Sequence, residues 1–200
     1  MQKPADTAHP IHELLARRWS ARAFSDRGVE PAMLRTLWEA ARWAPSSSNL
    51  QPWSFLVSTK DDPKEFVRML ACLVEPNQAW AKDAPVLMIA VAARLDRDND
   101  PNDHARYDVG QAAMSLSVQA ADVELFVHQM AGILPDTIRE TYQIPDTHEP
   151  VTALALGYAG TPDQLPDKLR QRELAPRVRK PIEEFVFVRQ WGTVSPMAKS

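Results

Sequence analysis

The chain has 200 residues, 44% hydrophobic and 24% charged, a composition typical of one soluble globular domain that is large enough to bury a cofactor. Its 23 Lys and Arg residues against 26 Asp and Glu residues give a formal net charge of −3, so we expect neither nucleic acid nor an anionic membrane as a partner. Cys72 is the single cysteine, which excludes an intrachain disulfide framework and the Cys-rich zinc modules.

The longest apolar run, residues 84–93, is about half of the roughly 20 residues that a membrane helix needs, so it predicts a buried strand. No apolar export segment opens the sequence. We therefore expect a cytoplasmic protein with a single domain over residues 1–200 and a core over about residues 11–191.

Helical periodicity and prolines organise the first quarter of the chain. Apolar residues at helical spacing predict a helix over residues 10–19 that Pro10 opens, and a second helix that begins at Pro31 and ends before Pro45. The polar residues that follow form a loop held between Pro45 and Pro52.

Strand patterns and helix patterns alternate along the rest of the chain, and the predicted strands cover residues 53–59, 84–93, 125–130 and 151–158. Between them, helical patterns begin at Asp62, cover residues 107–123 and cover residues 135–142. The pattern at 107–123 is apolar on nearly all sides, so we expect this helix at the centre of the domain. Taken by itself, the alternation favours a parallel α/β sheet.

Several common phosphate-binding and catalytic motifs do not occur in the sequence. There is no G-x-G-x-x-G, no G-x-x-x-x-G-K-[ST] and no G-x-S-x-G. Asp96, Asp98 and Asp100 are spaced like the first ligands of a calcium loop, but Pro101 stands where that loop needs glycine. We predict no metal site.

Two basic clusters and one polar loop remain as candidates for binding. Arg18, Ser20 and Arg22 follow the first helix, and guanidinium groups suit phosphate and carboxylate oxygens because they donate paired, charge-assisted hydrogen bonds. Arg177 and Arg179 form a second basic group near the carboxyl end. Taken alone, the first cluster favours a solvated helix end over a phosphate site, and the second is also compatible with a solvated surface. The loop after Pro45 is compatible with ordinary turn chemistry.

The order of these motifs along the chain resembles the FMN-dependent nitroreductase family. The segments that carry the resemblance are RRWSARAF, APSSSNLQPWSFLV, NQAWAKDAPVLMIAV, ALALGY and PRVRKPIEEFVF, which lie between residues 11 and 191. The most specific of them is P-S-S-x-N-x-Q-P-W, which begins at Pro45. The resemblance implies an α+β fold with a mixed, mainly antiparallel sheet, surrounding helices and a long central helix, in an intertwined homodimer.

The resemblance also implies a set of cofactor-binding residues. Basic residues and a hydroxyl hold the phosphate and ribityl chain, the Pro-Ser-Ser-x-Asn loop reaches the flavin of the partner subunit, and one asparagine and a turn contact the flavin ring. In this chain these residues are Arg18, Trp19, Ser20, Arg22, Pro45, Ser46, Ser47, Asn49, Asn77, Ala131, Gly132, Arg177 and Arg179.

The implied activity is FMN-dependent transfer of hydride from NADH or NADPH to a small oxidant, such as a nitroaromatic or a quinone, in a ping-pong exchange. No catalytic side chain is implied, because N5 of the flavin carries the chemistry. Glu124 stands where the family commonly has glycine, and Ile133 and Leu134 depart from its usual Gly-Phe-Asp. The alternatives are a flavin-binding or sensory protein with little turnover and a specialised family member, such as a reductive dehalogenase.

Overall fold

The structure is a computed structural model that describes residues 2–198, in which seven α-helices flank a four-stranded sheet. The helices are α1 (Glu13–Arg17), α2 (Pro31–Arg42), α3 (Pro63–Leu70), α4 (Glu75–Ala81), α5 (Ala105–Asp122), α6 (Pro135–Tyr142) and α7 (Asp167–Leu174). The strands are β1 (Trp53–Thr59), β2 (Val86–Ala93), β3 (Leu125–Met130) and β4 (His148–Tyr158). No helix within the described range is both long and apolar enough to cross a bilayer.

The sheet has the strand order β1-β2-β4-β3, and each of its three strand pairs is antiparallel. This confirms the α+β class with a mainly antiparallel sheet, and the parallel sheet that the alternation of elements favours is wrong. The reason lies in β2, seven of whose eight residues are buried. Met88 belongs to the hydrophobic cluster on one face of the sheet and Ile89 to the cluster on the other. A strand covered on both faces is continuously apolar whatever its direction, so the pattern cannot report the direction.

Helix α5 is the central helix that its sequence predicts. It packs against α1, α2 and strands β1, β2 and β3. Leu116 and Ala120 are fully buried, and Asp108 and Ser117 are buried polar residues on the same helix. The neighbouring elements on several sides explain why apolar residues cover most of its circumference.

The structure departs from the predicted elements near the chain ends and at α4, which was not predicted. Helix α1 has only five residues, and Trp19 lies beyond it in an extended segment that reaches an isolated bridge between Phe24 and Ala159. Helix α7 was not predicted, because its one buried residue is Glu173. A helix that buries a carboxylate rather than an apolar stripe has no hydrophobic periodicity to detect.

Glu124 follows the last turn of α5 with a φ of +60°, in the left-handed region that glycine occupies most easily. We expect Glu124→Gly to stabilise the protein by about 1 kcal/mol, since a left-handed residue with a Cβ costs about that much. Thermal unfolding measures this as a rise in Tm of about 3 °C. The control is Asp122→Gly at the last helical position of α5, which should lower stability. A lower Tm for the Glu124 variant would contradict the argument from strain.

Candidate functional site

The extended segment after α1 is held in place by side chains that are distant in sequence. The backbone N–H groups of Arg22 and Ala23 donate to Oε1 of Glu173, at 2.9 and 3.1 Å. On the other side, Nδ1 of His128 donates to the carbonyl oxygen of Ala21 at 3.0 Å. Ala21 is fully buried, whereas Ser20 is exposed. Because side chains alternate along extended backbone, Ser20 and Arg22 lie on the outer face of the segment.

Beside this segment lies a cavity of about 220 Å³. Among residues 2–198, the side chains that line it include six cations and no carboxylate: Lys3, Arg18, Arg22, Arg172, Arg177 and Arg179. Trp19 and Ser20 complete the wall on the α1 side. The structure therefore brings six of the predicted cofactor-binding residues to one cavity, which we call the arginine cavity.

The positive charges of the arginine cavity repel one another, which, in addition to burial, lowers the pKa of Arg18 and Arg177. Burial lowers the pKa of Arg18, and the nearby guanidinium groups of Arg177 and Arg179 lower it further. Burial and then Arg179 lower the pKa of Arg177. Arginine nevertheless stays protonated in proteins, so the cavity concentrates positive charge and favours an anionic occupant.

Two of the six cations were not predicted from the sequence. Nζ of Lys3 donates to the carbonyl oxygens of Glu173 and Ala175, at 2.6 and 2.5 Å, at the end of α7. Nη1 of Arg177 in turn donates to the carbonyl of Lys3 at 2.8 Å, which fixes the amino-terminal segment against the cavity. A lysine near the start of the chain and Arg172 on an unpredicted helix have no motif around them, so only the fold reveals their place.

A second group of predicted residues lies on α4 and the turn after β3. Nδ2 of Asn77 donates to the carbonyl oxygen of Gly132 at 3.1 Å. A Cβ atom at Gly132 would lie 2.5 Å from that nitrogen, so the turn and α4 approach this closely only because the residue is glycine. Trp80, also on α4, packs its ring against His128 at 4.5 Å and lies below Arg22 at 6.0 Å. Helix α4 thus connects the Asn77 turn to the arginine cavity.

The loop after Pro45 is not part of the arginine cavity within one chain. None of the predicted residues Pro45, Ser46, Ser47 and Asn49 lines that cavity. Ser48, Asn49 and Gln51 all have positive φ, so the loop is an unusually constrained structure.

A buried aspartate fixes this loop on α5. Oδ2 of Asp108, which is 1% exposed, accepts the backbone N–H of Ser47 at 3.0 Å. We expect Asp108→Ala to destabilise the protein by about 2 kcal/mol, because it leaves that N–H without its partner and a gap beside α5. Asp108→Asn is the matched variant, since its amide oxygen still accepts, and it should lose less. Urea unfolding measures the free energy of unfolding of both variants. Equal decreases in the two variants would show that the lost hydrogen bond does not cause the destabilisation.

The residues present fit an FMN group in two respects. The cationic donors of the arginine cavity suit a phosphate monoester, which is close to dianionic at neutral pH. Asn77 supplies a side-chain amide next to the backbone of the Gly132 turn, and these are the kinds of donors and acceptors that pair with the polar edge of a flavin ring. The structure therefore offers a cationic cavity for the phosphate, and polar groups on α4 and on the turn after β3 for the ring.

Comparison with known proteins assigns the chain to a family. The sequence model of the Nitroreductase family matches residues 15–158. A solved structure described as an oxidoreductase containing FMN superposes with a TM-score of 0.89 at 33% identity, over 94% of this chain and 96% of that one. The chain belongs to the Nitroreductase family.

Two relatives found by sequence are more distant. A Caenorhabditis elegans protein named "Iodotyrosine dehalogenase 1 homolog" is 26% identical over 191 residues, 80% of this chain and 58% of that protein. A Methanothermobacter thermautotrophicus protein named "Putative NADH dehydrogenase/NAD(P)H nitroreductase" is 27% identical over 159 residues, 74% of this chain and 76% of that protein. Membership of the Nitroreductase family supports an oxidoreductase activity for the chain.

Proposed function

We propose that the protein is an FMN-dependent oxidoreductase that takes hydride from NADH or NADPH and reduces a small oxidant, such as a nitroaromatic or a quinone. The observation that carries this proposal is the arginine cavity, with six cations and no carboxylate among the described residues that line it. The family assignment and the similarity to an oxidoreductase containing FMN support it.

The side chains of this chain divide the work of binding. Arg18, Ser20 and Arg22, with Arg177 and Arg179, hold the phosphate end, and they do so by charge-assisted hydrogen bonds. Asn77 and the backbone of Ala131 and Gly132 orient the ring. FMN, when bound, supplies the alternating acceptance and donation of hydride, in a ping-pong exchange between the two substrates. The protein contributes position and positive electrostatic potential rather than a nucleophile.

We propose further that the active form is a homodimer, and that the loop after Pro45 of each subunit completes the site of its partner. We also propose that the protein acts in the cytoplasm. Within one chain this loop lies outside the arginine cavity, which supports a site that needs two chains. Trp43 and Tyr107 are 74% and 68% exposed, large apolar surfaces that a partner subunit would cover.

Mixing two variants that each bind FMN weakly tests whether the site is shared between subunits. Arg22→Ala and Asn49→Ala should each bind FMN weakly as homodimers. After mixing and subunit exchange, a heterodimer holds one site with both native residues and one with neither, so FMN binding should return in part. A mixture no better than its components, or a stable monomer that binds FMN in gel filtration, would refute sharing.

The visible absorption spectrum of freshly purified protein tests the function directly. We expect a yellow protein that bleaches on anaerobic addition of NADH or NADPH and regains its colour when a quinone is added. Bleaching without turnover would favour the flavin-binding or sensory protein. Protein that stays colourless after incubation with FMN and desalting would refute the proposal.

Reductive dehalogenation is a second candidate for the oxidant side. The similarity to the "Iodotyrosine dehalogenase 1 homolog" favours it, over 80% of this chain. Halide release from a halogenated phenol by the reduced protein distinguishes this activity from reduction of a nitroaromatic.

A further inference from the structure

Glu173 is a buried carboxylate, one oxygen of which accepts hydrogen bonds from the described residues while the other does not. The residue is 1% exposed, and its Oε1 accepts the backbone N–H groups of Arg22 and Ala23. Its Oε2 is buried and has no hydrogen-bond partner in the part of the chain that the structure describes. An unsatisfied carboxylate oxygen is costly in a protein interior, so its presence beside the arginine cavity calls for a reason.

The nearest charge to that oxygen is the guanidinium of Arg22. Nη1 of Arg22 lies 3.9 Å from Oε2 of Glu173, close enough for attraction but too far for a hydrogen bond. The same guanidinium lines the arginine cavity, and its side chain is 26% exposed. Arg22 therefore stands between a fixed carboxylate on its inner side and the place of an anion on its outer side.

The Glu173 carboxylate and an incoming phosphate would compete for the guanidinium of Arg22. Burial lowers the pKa of Arg22, the Glu173 carboxylate raises it, and Arg172 lowers it. Whatever attraction Glu173 exerts on Arg22 in the cofactor-free protein must be given up, in part, when the guanidinium turns to a phosphate. The carboxylate also repels the phosphate itself.

We propose that Glu173 is a positioning residue that acts as the internal counter-ion of Arg22, and that it limits the affinity of the site for the FMN phosphate. Its Oε1 holds the backbone that carries Arg22, while the charge on Oε2 keeps Arg22 partly inward and opposes the incoming anion. The inference rests on the proposed function, because it assumes that the arginine cavity takes the phosphate of FMN.

Glu173→Gln separates the two roles of the side chain. The amide oxygen can still accept both backbone N–H groups, but the negative charge is gone. FMN is titrated into the cofactor-free proteins and its binding is followed by flavin fluorescence. We expect FMN to bind to the Glu173→Gln variant about tenfold more tightly than to the wild type. Riboflavin, which lacks the phosphate, should show no such gain. Glu140→Gln is the matched control, because it removes the same charge from an exposed position on α6 and should leave both affinities unchanged.

The outcomes separate this inference from the proposed function. Wild-type protein that binds no FMN refutes the proposed function. Wild-type protein that binds FMN, with a Glu173→Gln variant that binds it equally or more weakly, leaves that function standing and overturns the role of Glu173.

A second comparison does not depend on the folding of the Glu173 variant. Arg22→Ala removes the positive charge nearest to the buried carboxylate and leaves its negative charge less opposed beside the phosphate, so it should weaken FMN binding at least several-fold more than Arg18→Ala does. Equal losses in the two arginine variants would also overturn the inference.

Discussion

Replacing both Arg18 and Arg22 by alanine should abolish the retention of FMN through purification. The Arg18 guanidinium is expected to contribute about 2 kcal/mol through a charge-assisted hydrogen bond to the phosphate, which corresponds to about thirtyfold in affinity. The loss for Arg22 should be several-fold larger, because its removal also leaves the Glu173 carboxylate unopposed beside the phosphate. Both residues line the same cavity, so the double variant loses a large part of its positive wall. Titration of cofactor-free protein with FMN measures the two single losses and the combined one.

The control for this prediction is Lys64→Ala, which removes one positive charge from an exposed position on α3. Its affinity for FMN should equal that of the wild type. Riboflavin provides the second comparison, since it has no phosphate for the arginines to hold. If the arginine variants lose riboflavin and FMN to the same extent, the arginine cavity does not bind phosphate.

The stability of the protein should fall by about 3 kcal/mol between pH 6.5 and pH 4 because of His128 alone. The pKa of His128 is lowered to about 4, first by burial and then by the positive charges of Arg22 and Arg18. Hydrogen bonding to the backbone of Ala21 and Ser20 acts in the opposite direction and raises it. An unfolded histidine titrates near 6.5. Between the two values the unfolded chain binds a proton that the folded protein does not, so acidification favours unfolding by about 1.4 kcal/mol per pH unit. Above pH 6.5 and below pH 4 the contribution of His128 no longer changes with pH.

Comparison with a His128→Gln variant isolates this effect, because carboxyl groups that titrate in the same range are common to both proteins. Glutamine can still donate to the carbonyl of Ala21 but does not titrate. Urea unfolding at several pH values should show the wild type losing about 3 kcal/mol relative to the variant as the pH falls from 6.5 to 4. A constant difference between the two proteins over this range would mean that His128 titrates alike in the folded and unfolded states.

Local sequence patterns predicted most of the elements that bury an apolar stripe or a continuous apolar run, although α4 was missed. Strand β1 has the predicted bounds, residues 53–59, and α2 begins at Pro31 and ends before Pro45, as proline chemistry requires. Helix α7 escaped detection because the side chain that it buries is Glu173. The direction of the strands could not be derived from periodicity, since β2 is covered on both faces.

The residues of the candidate site likewise differ in whether the sequence alone could reveal them. The joint order of the segments around Arg18, Pro45 and Arg177 was visible in the sequence, and the resemblance that it carried implied the family that the comparison confirms. The roles assigned to the individual residues stay predictions for the variants described above.

The amino-acid sequence by itself therefore determined the class of the protein, its long central helix and the residue types available to hold an anionic cofactor. Only the tertiary structure decided which of those residues share a cavity, that Lys3 and Arg172 join them, and that Glu173 and His128 hold the segment between them. The physical reason is that hydrophobic periodicity records which side of an element is buried. Contacts between a polar side chain and backbone more than a hundred residues away depend on how the elements pack.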